Sequence, residues 1–321
     1  MHLFVTGGSG FVGQALVTRL AAEHRVTALA RSDEAAEVVR ACGATPVAAD
    51  LESIGAHHLS GVDVVVHCAA LVSDWAPPGE FERVNVDGTR KMLSAAREAG
   101  VRRFVHMSSD SVLFDGSELV DVDEDTPYPD STGYPYAVSK RRSEQIVRAA
   151  NASDFETVCV RPVLVWGPND TSILPVLVEM VDRGAFVWVD RGTNRISTTH
   201  VANVVAGTVR AIEHGRPGAV YFLTDGPPTT HREFFTQYLA TVGRTVGSRS
   251  LPAGVVRSIG SALDRSWRLV RPRSQPPLSR EAAATLAATI TVSSSRAHDE
   301  LGFIPISRES AMAALAEEAA G

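Results

Sequence analysis

Lysine is nearly missing from this chain. Its 321 residues include 31 lysines and arginines, and of these only Lys91 and Lys140 are lysine. An arginine-biased composition accounts for the general scarcity but not for the exception at position 140. Cysteine is scarce as well. Cys42, Cys68 and Cys159 stand far apart with no CxxC pair, which fits reduced thiols in a cytoplasmic protein and not a disulfide framework. There is no surplus of positive charge: the net charge of −6 and the pI near 5.9 argue against a nucleic-acid or anionic-membrane surface. No apolar run approaches the roughly 20 residues of a membrane span. The opening MHLFVTGGSG lacks a basic segment ahead of an apolar one, so no signal peptide is expected. The histidines lack metal-ligand spacing, with His57 and His58 adjacent and the rest scattered, and no GxSxG nucleophile elbow is present. No metal site is expected.

What is there, in the first half, is one repeated rhythm of apolar run, turn and amphipathic helix. HLFVTG, RVTALA, DVVVHCAA, RRFVHMSS and TVCVRPVLVWG read as strands; Phe11 to Ala22, Asn85 to Gly100 and Ala137 to Asn151 read as helices. Strands alternating with helices predict an α/β, Rossmann-type doubly wound parallel sheet covered on both faces. After Gly167 shorter elements broken by Pro and Gly predict a smaller C-terminal lobe for substrate. The expected division is residues 1–168 and 169–321, interleaved, with the lobe over the carboxyl edge of the sheet. The stretch LVRPRS is expected to be a solvated loop.

VTGGSGFVG follows the first strand and opens the first helix. Gly7 allows a tight turn, Gly10 allows backbone to approach a pyrophosphate, and Gly13 allows close helix packing, while the helix N-terminus favours negative charge. Gly7, Ser9, Gly10, Phe11, Val12 and Gly13 are therefore expected to hold a dinucleotide. The second strand ends without the acid that would bond a ribose 2′-hydroxyl. Ala30 stands there, and Arg31 and Ser32 follow, which suits the 2′-phosphate of NADP; Asp33, shifted by a loop, would suit NAD. Asp50 and Leu51, after a third apolar run, are expected beside the adenine.

GYPYAVSK carries the chemistry. Tyr136 and Lys140 are four apart and share a helical face; Tyr134 has Val138 at that spacing. A phenol is a poor base at neutral pH, and a nearby ammonium lowers its pKa. Tyr136 could then exchange a proton with a carbonyl or alcohol oxygen. Upstream, VHMSSDSVLF ends a strand with Ser108 and Ser109, either of which could bond the same oxygen, and Ser111 is a third candidate.

Taken together and in order, the glycine loop, HCAA, NVDGT, Ser109, YAVSK and RPVLVWGP resemble the extended short-chain dehydrogenase/reductases over Met1 to about Pro168. THVANVV, YFLTDGPPTTHREFF, PPLSR and AHDELGFIPISRE resemble the 3β-hydroxysteroid and sterol dehydrogenase branch, so the likeness spans nearly the whole chain. The resemblance implies Tyr136 as acid/base, Lys140 as its partner and a ribose ligand, and Ser109 as the catalytic serine. It implies backbone contacts to the cofactor from Cys68, Ala69 and Ala70, a structural or cofactor-adjacent Asn85, and Pro162 and Val163 facing the nicotinamide amide. Steroid enzymes of this branch often keep the second-strand Asp; Ala30 and Arg31 depart from it.

The expectation is an NADP(H)-dependent oxidoreductase, NAD being possible, that acts on an apolar, steroid-like or long-chain ketone or alcohol, as a possible homodimer. A nucleotide-sugar epimerase or dehydratase is the alternative within the superfamily, and a non-catalytic NADP-binding sensor the alternative outside it. Trp75, Phe114, Ile173, Leu174, Phe186 and Trp188 are candidates for an apolar pocket. Arg191 and Arg195 are the counter-signal, because a sugar-diphosphate enzyme needs clustered cations; Arg195 lies five residues before His200, one more than expected of its relatives.

Overall fold

The apolar runs of the first half are continuous because their strands are buried on both faces. In the computed structural model, which describes residues 1–73, 75–270 and 274–320, they form a seven-stranded sheet. Its strands are β1 (His2–Thr6), β2 (Arg25–Ala30), β3 (Thr45–Ala48), β4 (Val64–His67), β5 (Arg103–Met107), β6 (Glu156–Pro162) and β7 (Val220–Leu223). The order is β3-β2-β1-β4-β5-β6-β7 and every pairing is parallel. The order reverses between β1 and β4, which opens the crevice where such sheets bind ligands.

Side chains alternate across each strand. Leu3 and Val5 of β1 enter one core layer and Phe4 the other. The first layer is covered by α1 (Phe11–Ala21), α2 (Asp33–Ala41) and, from much later in the chain, α5 (Val201–His214). The second is covered by α3 (Gly88–Glu98) and α4 (Pro135–Ala149). The helix expected from Asn85 begins earlier, as a π-helical turn over Glu82–Asp87 that leads into α3. Such wide turns recur at functional sites. The helix expected from Ala137 starts at Pro135, which suits a first helical position because its missing N–H would have no intrahelical partner.

Chain order and lobe do not coincide. The segments 201–223 and 295–303 return from the second half to the first core layer, while Leu119–Val122 leaves the first half to join a four-stranded sheet with Arg195–Ile196, Thr229–Thr230 and Ile290–Val292. TVCVRPVLVWG is not one strand. β6 stops at Pro162, Leu164 turns through φ +30, and a separate Val165–Trp166 strand pairs with Thr199–His200. Buried Asp225 ties this corner together. It accepts from Trp166 Nε1 (2.7 Å), Thr198 Oγ1 (2.8 Å), the His200 N–H (2.5 Å) and Asn203 Nδ2 (2.8 Å). Helix α6 (Ala253–Val270) and α7 (Arg280–Leu286) pack together over the start of α4. The expected LVRPRS loop is helical as far as Val270, and its residues 271–273 lie outside the described residues.

Candidate active site

The glycine loop is dictated by contacts that leave no room for a Cβ. Gly7 takes φ +71, and a Cβ there would stand 2.8 Å from the Ala69 nitrogen. One on Gly13 would strike the Gly7 carbonyl at 1.9 Å, so Gly13 lets α1 press on the loop itself. Gly8, passed over in the sequence, is buried against Ala28 and Val17. Gly10 is exposed, caps α1 without a side chain, and has only the Gly7 carbonyl near its open Cβ position. The first-turn N–H groups of Phe11, Val12 and Gly13 thus receive no side-chain cap, and a helix start of this kind accepts an anion. The loop fits the pyrophosphate of a dinucleotide on its own geometry.

At the end of β2, Arg31 is exposed and makes no hydrogen bond or ion pair among the described residues, while Ser32 caps α2 by accepting from the Ala35 N–H (3.3 Å). Asp50 is occupied locally. One of its oxygens accepts from the N–H groups of Glu52 (2.9 Å) and Ser53 (2.8 Å) and from Ser53 Oγ (2.7 Å), and these Ser53 bonds hold its pKa low. Leu51 packs where a Cβ on Gly88 would sit. Asp50 and Leu51 follow β3, and the Asp50 carboxylate builds a turn there.

Cys68, Ala69 and Ala70 follow β4 directly, and a hydrogen-bond chain fixes them. The Ala69 N–H donates to Thr6 Oγ1 (3.1 Å), which bonds His67 Nδ1 (2.8 Å). His67 Nε2 bonds Thr89 Oγ1 (3.0 Å), which donates to the Asn85 carbonyl (2.6 Å). One tautomer satisfies the whole chain: Nδ1 accepts and Nε2 donates. Burial, with the charge of Lys140 behind it, pushes the His67 pKa down to about 3, so the ring is neutral. The Asn85 side chain clamps Leu71 through both its N–H (2.7 Å) and its carbonyl (3.1 Å) and donates to Ser139 Oγ (2.9 Å), which donates to the Tyr136 carbonyl (2.8 Å). Asn85, at 2% exposure, is therefore structural. The chain runs from the glycine loop to the tyrosine helix, and Thr6, His67 and Thr89 had no signal in the sequence because their partners are remote.

Tyr136 sits on the first turn of α4 with its ring beside Phe81. Burial holds its phenol well above the ordinary tyrosine value, Asp110 and Glu281 push the same way, and the Ser109 and Ser111 hydroxyls oppose them. Lys140 is not among these groups. Its ammonium is buried and donates to the Met107 carbonyl (2.7 Å), and burial, against the pull of Glu144, lowers its pKa to about 8. The phenol pKa therefore rises where a lowering was expected, because burial is the largest influence on it.

The three candidate serines differ in placement, and both Ser109 and Ser111 bear on the Tyr136 phenol. Ser109 caps a short turn, Asp110–Leu113, accepting from the Ser111 N–H (3.2 Å) and donating to Asp110 (2.9 Å), and it bears on the Tyr136 phenol. Ser108 is 4% exposed on the Glu144 side, and its Oγ has no hydrogen-bond partner among the described residues. Glu144 and Arg161 form a fully buried ion pair behind Lys140, with Nε to Oε2 at 2.9 Å and Nη2 to Oε1 at 2.5 Å. Tyr134 points away from this group. It stacks on Phe114 and lies under Arg280.

Val163 is enclosed. It is 1% exposed, packed with Phe114 and Phe222, and its N–H is taken by Thr199 Oγ1 (2.9 Å). Pro162, the last residue of buried β6, is also enclosed. Neither offers a polar group to a nicotinamide amide through its N–H. Phe114 and Trp188 are core as well, and Ile173, Leu174 and Phe186 pack against the core of the second lobe. Trp75 lies under the Arg268 guanidinium. A cleft of about 310 Å³ opens beside the tyrosine helix, lined by Pro78, Tyr134, Pro135, Arg268, Arg280 and Glu281 among others. Arg195 is exposed on the strand Arg195–Ile196 and Arg191 on the short helical turn Asp190–Gly192. The three cysteines are free, and among the described residues no group of three metal-ligating side chains occurs.

A 3-2-1-4-5-6 parallel sheet, a glycine loop opening α1, and serine, tyrosine and lysine gathered at the carboxyl edge together define the class as a short-chain dehydrogenase/reductase of the extended type. Within it, the chain belongs to the 3-beta hydroxysteroid dehydrogenase/isomerase family, whose model matches residues 4–253, and so to the oxidoreductases. A 4-hydroxy-2-methyl-3-oxo-4-farnesyl-3,4-dihydroquinoline-1-oxide ketoreductase of Stigmatella aurantiaca is 42% identical over 94% of this chain and 92% of its own. A 2-alkyl-3-oxoalkanoate reductase of Stenotrophomonas maltophilia is 34% identical over 95% of each. The crystal structure of a dTDP-glucose 4,6-dehydratase from Streptomyces venezuelae has the same fold, with a TM-score of 0.77, 24% identity, and 99% and 96% of the two chains covered. No helix among the described residues is long and apolar enough to cross a membrane.

Proposed function

We propose that the protein is an NADPH-dependent ketoreductase, acting in the cytoplasm on a lipophilic 3-oxo compound whose neighbouring carbon carries a long apolar chain. The observation that carries the reading is the proximity of Ser109 to the phenol of Tyr136, whose helix one hydrogen-bond chain ties to the glycine loop. The names of the two relatives support the substrate class: in both, the 3-oxo group neighbours the carbon that bears the farnesyl or alkyl chain. Exposed Arg31, free of other partners among the described residues, supports the extra phosphate of NADPH. The division into a mainly nucleotide-binding 1–168 and a mainly substrate-binding 169–321 belongs to the same reading, as does a homodimer.

Bound cofactor supplies the hydride. This chain's residues do the rest. Gly7, Ser9, Gly10 and the first turn of α1 hold the pyrophosphate, and Ala69 and Ala70 line the cofactor with backbone. Ser109 and Tyr136 take the substrate oxygen between them, and Tyr136 delivers the proton as the carbonyl becomes an alcohol. A phenol whose pKa is raised by burial stays protonated at neutral pH, which suits the reducing direction. Lys140 anchors the helix to β5 through the Met107 carbonyl, and its remaining N–H groups would bond ribose hydroxyls. A panel of 2-alkyl-3-oxo acids, steroid ketones and UDP-sugars under NADPH tests the assignment. Turnover of the 3-oxo compounds without calorimetric binding of UDP-glucose is expected. UDP-sugar binding at micromolar concentration, lost in Arg195→Ala, would transfer the protein to the epimerases.

A further inference from the structure

Asp110 has no part in the scheme above, yet it holds the hydroxyl proton that the scheme requires. Ser109 has one proton, and its Oγ donates it to Asp110 Oδ1 at 2.9 Å while accepting from the Ser111 N–H at 3.2 Å. In that arrangement Ser109 offers a substrate oxygen only a lone pair. A serine that is to polarise a carbonyl has to donate. The two demands conflict unless the carboxyl changes state. Once Asp110 takes a proton from solvent, its own O–H can donate to Ser109 Oγ, and the serine proton turns outward to the substrate.

We propose that Asp110 is a positioning residue that sets the hydrogen-bond polarity of Ser109: ionised, it keeps the serine as an acceptor; protonated, it makes the serine a donor to the ketone. The inference rests on the assignment of Ser109 given above.

The surroundings permit the change. Burial raises the Asp110 pKa to about 6, against the bonds from Ser109, from its own backbone and from Ser111 and the charge of Arg161. Arg161 of β6 is committed to Glu144 by two hydrogen bonds, and Lys140 of α4 to the Met107 carbonyl, so neither cation is bonded to Asp110. Tyr136 of α4 faces it, and Glu281 of α7 bears on that phenol with the same sign as Asp110. Ionised Asp110 therefore also makes Tyr136 a weaker acid. Both effects favour ketone reduction below the Asp110 pKa and weaken it above.

The test is the pH dependence of kcat/KM for ketone reduction from pH 5 to 8, and for alcohol oxidation at higher pH, in wild type, Asp110→Asn, Asp110→Ala and Ser109→Ala. Wild-type reduction should fall about five- to tenfold through a break near pH 6, the worth of one neutral hydrogen bond. Asp110→Asn presents a permanent donor and should flatten that break. It should also shift the basic limb of oxidation to lower pH, because a negative charge near the phenol is gone. Asp110→Ala should lose the break too, which keeps the test open if Asp110→Asn folds poorly. A break near pH 6 that persists in both variants, while Ser109→Ala is impaired, would overturn the role of Asp110 alone. Wild-type turnover in Ser109→Ala would overturn the serine assignment and this inference with it.

Discussion

Lys140 and Met107 are 33 residues apart in sequence, and the ammonium of one donates to the backbone carbonyl of the other at 2.7 Å. The contact pins α4 to the end of β5, so that the tyrosine helix and the serine turn share one anchor. It also places a charge where burial disfavours it, and the pKa falls to about 8. A lysine with a lowered folded pKa destabilises the fold fully below that pKa, and the penalty disappears as pH rises toward the unfolded value.

Lys140→Met should therefore unfold at higher denaturant than wild type at pH 7, by up to about 3 kcal/mol before the lost Met107 bond is counted. The difference should shrink between about pH 8 and 10.5. Urea titrations of both proteins at pH 7 and pH 10 check this. Activity should move the other way, with turnover and NADPH affinity both reduced in the variant.

Tyr136→Phe should lose about 10²- to 10⁴-fold in kcat with little change in NADPH affinity, since only the phenol oxygen is removed. Tyr134→Phe should be mild, because Tyr134 works through its ring, between Phe114 and Arg280. Steady-state kinetics beside fluorescence titration with NADPH separates the two. Greater damage from Tyr134→Phe would mean that the wrong tyrosine carries the proton.

Arg31→Ala should weaken NADPH binding roughly ten- to a hundredfold and leave NADH nearly untouched, the loss expected for one charge-assisted partner of a phosphate. Exposure of the side chain places the effect toward the lower end. Equal use of both cofactors by the wild type would return attention to Asp33.

Glu144→Ala should cost about 3–5 kcal/mol of stability, because it leaves the Arg161 charge buried and unpaired. Replacing both partners, as in Glu144→Leu with Arg161→Met, should cost much less. Burial raises the Glu144 pKa, but the Arg161 bonds and charge more than offset it and the net shift is downward. Its stabilising share is therefore intact above the ordinary glutamate pKa and lost as pH falls below it. Denaturation of the single and double variants at pH 7 and pH 4 measures both statements.

The sheet was legible because each strand is a short, doubly buried apolar run, and the glycine loop because Gly7 and Gly13 have no substitute. Tyr136 and Lys140 could be paired because helical spacing is local. Asp110, His67, Thr89 and the Glu144–Arg161 pair were not legible. His67 meets Thr6 and Thr89 only once β1, β4 and α3 are assembled, and an isolated acid next to a serine reads as a turn. The fate of Val163 was hidden for the same reason, since its N–H is claimed by Thr199 from a strand 36 residues on. Even the Tyr136–Lys140 pair misled on electrostatics, because spacing shows proximity but not desolvation.

The most direct measurement follows the hydride and the proton together. NADPH carrying deuterium at nicotinamide C4 is mixed with a 2-alkyl-3-oxo compound and the wild-type protein, and the alcohol product is analysed by mass spectrometry, with Tyr136→Phe run in parallel. The wild type should place deuterium on the carbinol carbon, and Tyr136→Phe should bind the cofactor yet form almost no labelled product. Labelled product formed at the wild-type rate by Tyr136→Phe would contradict the account, as would a wild type that binds NADPH and transfers no deuterium to any 3-oxo compound offered.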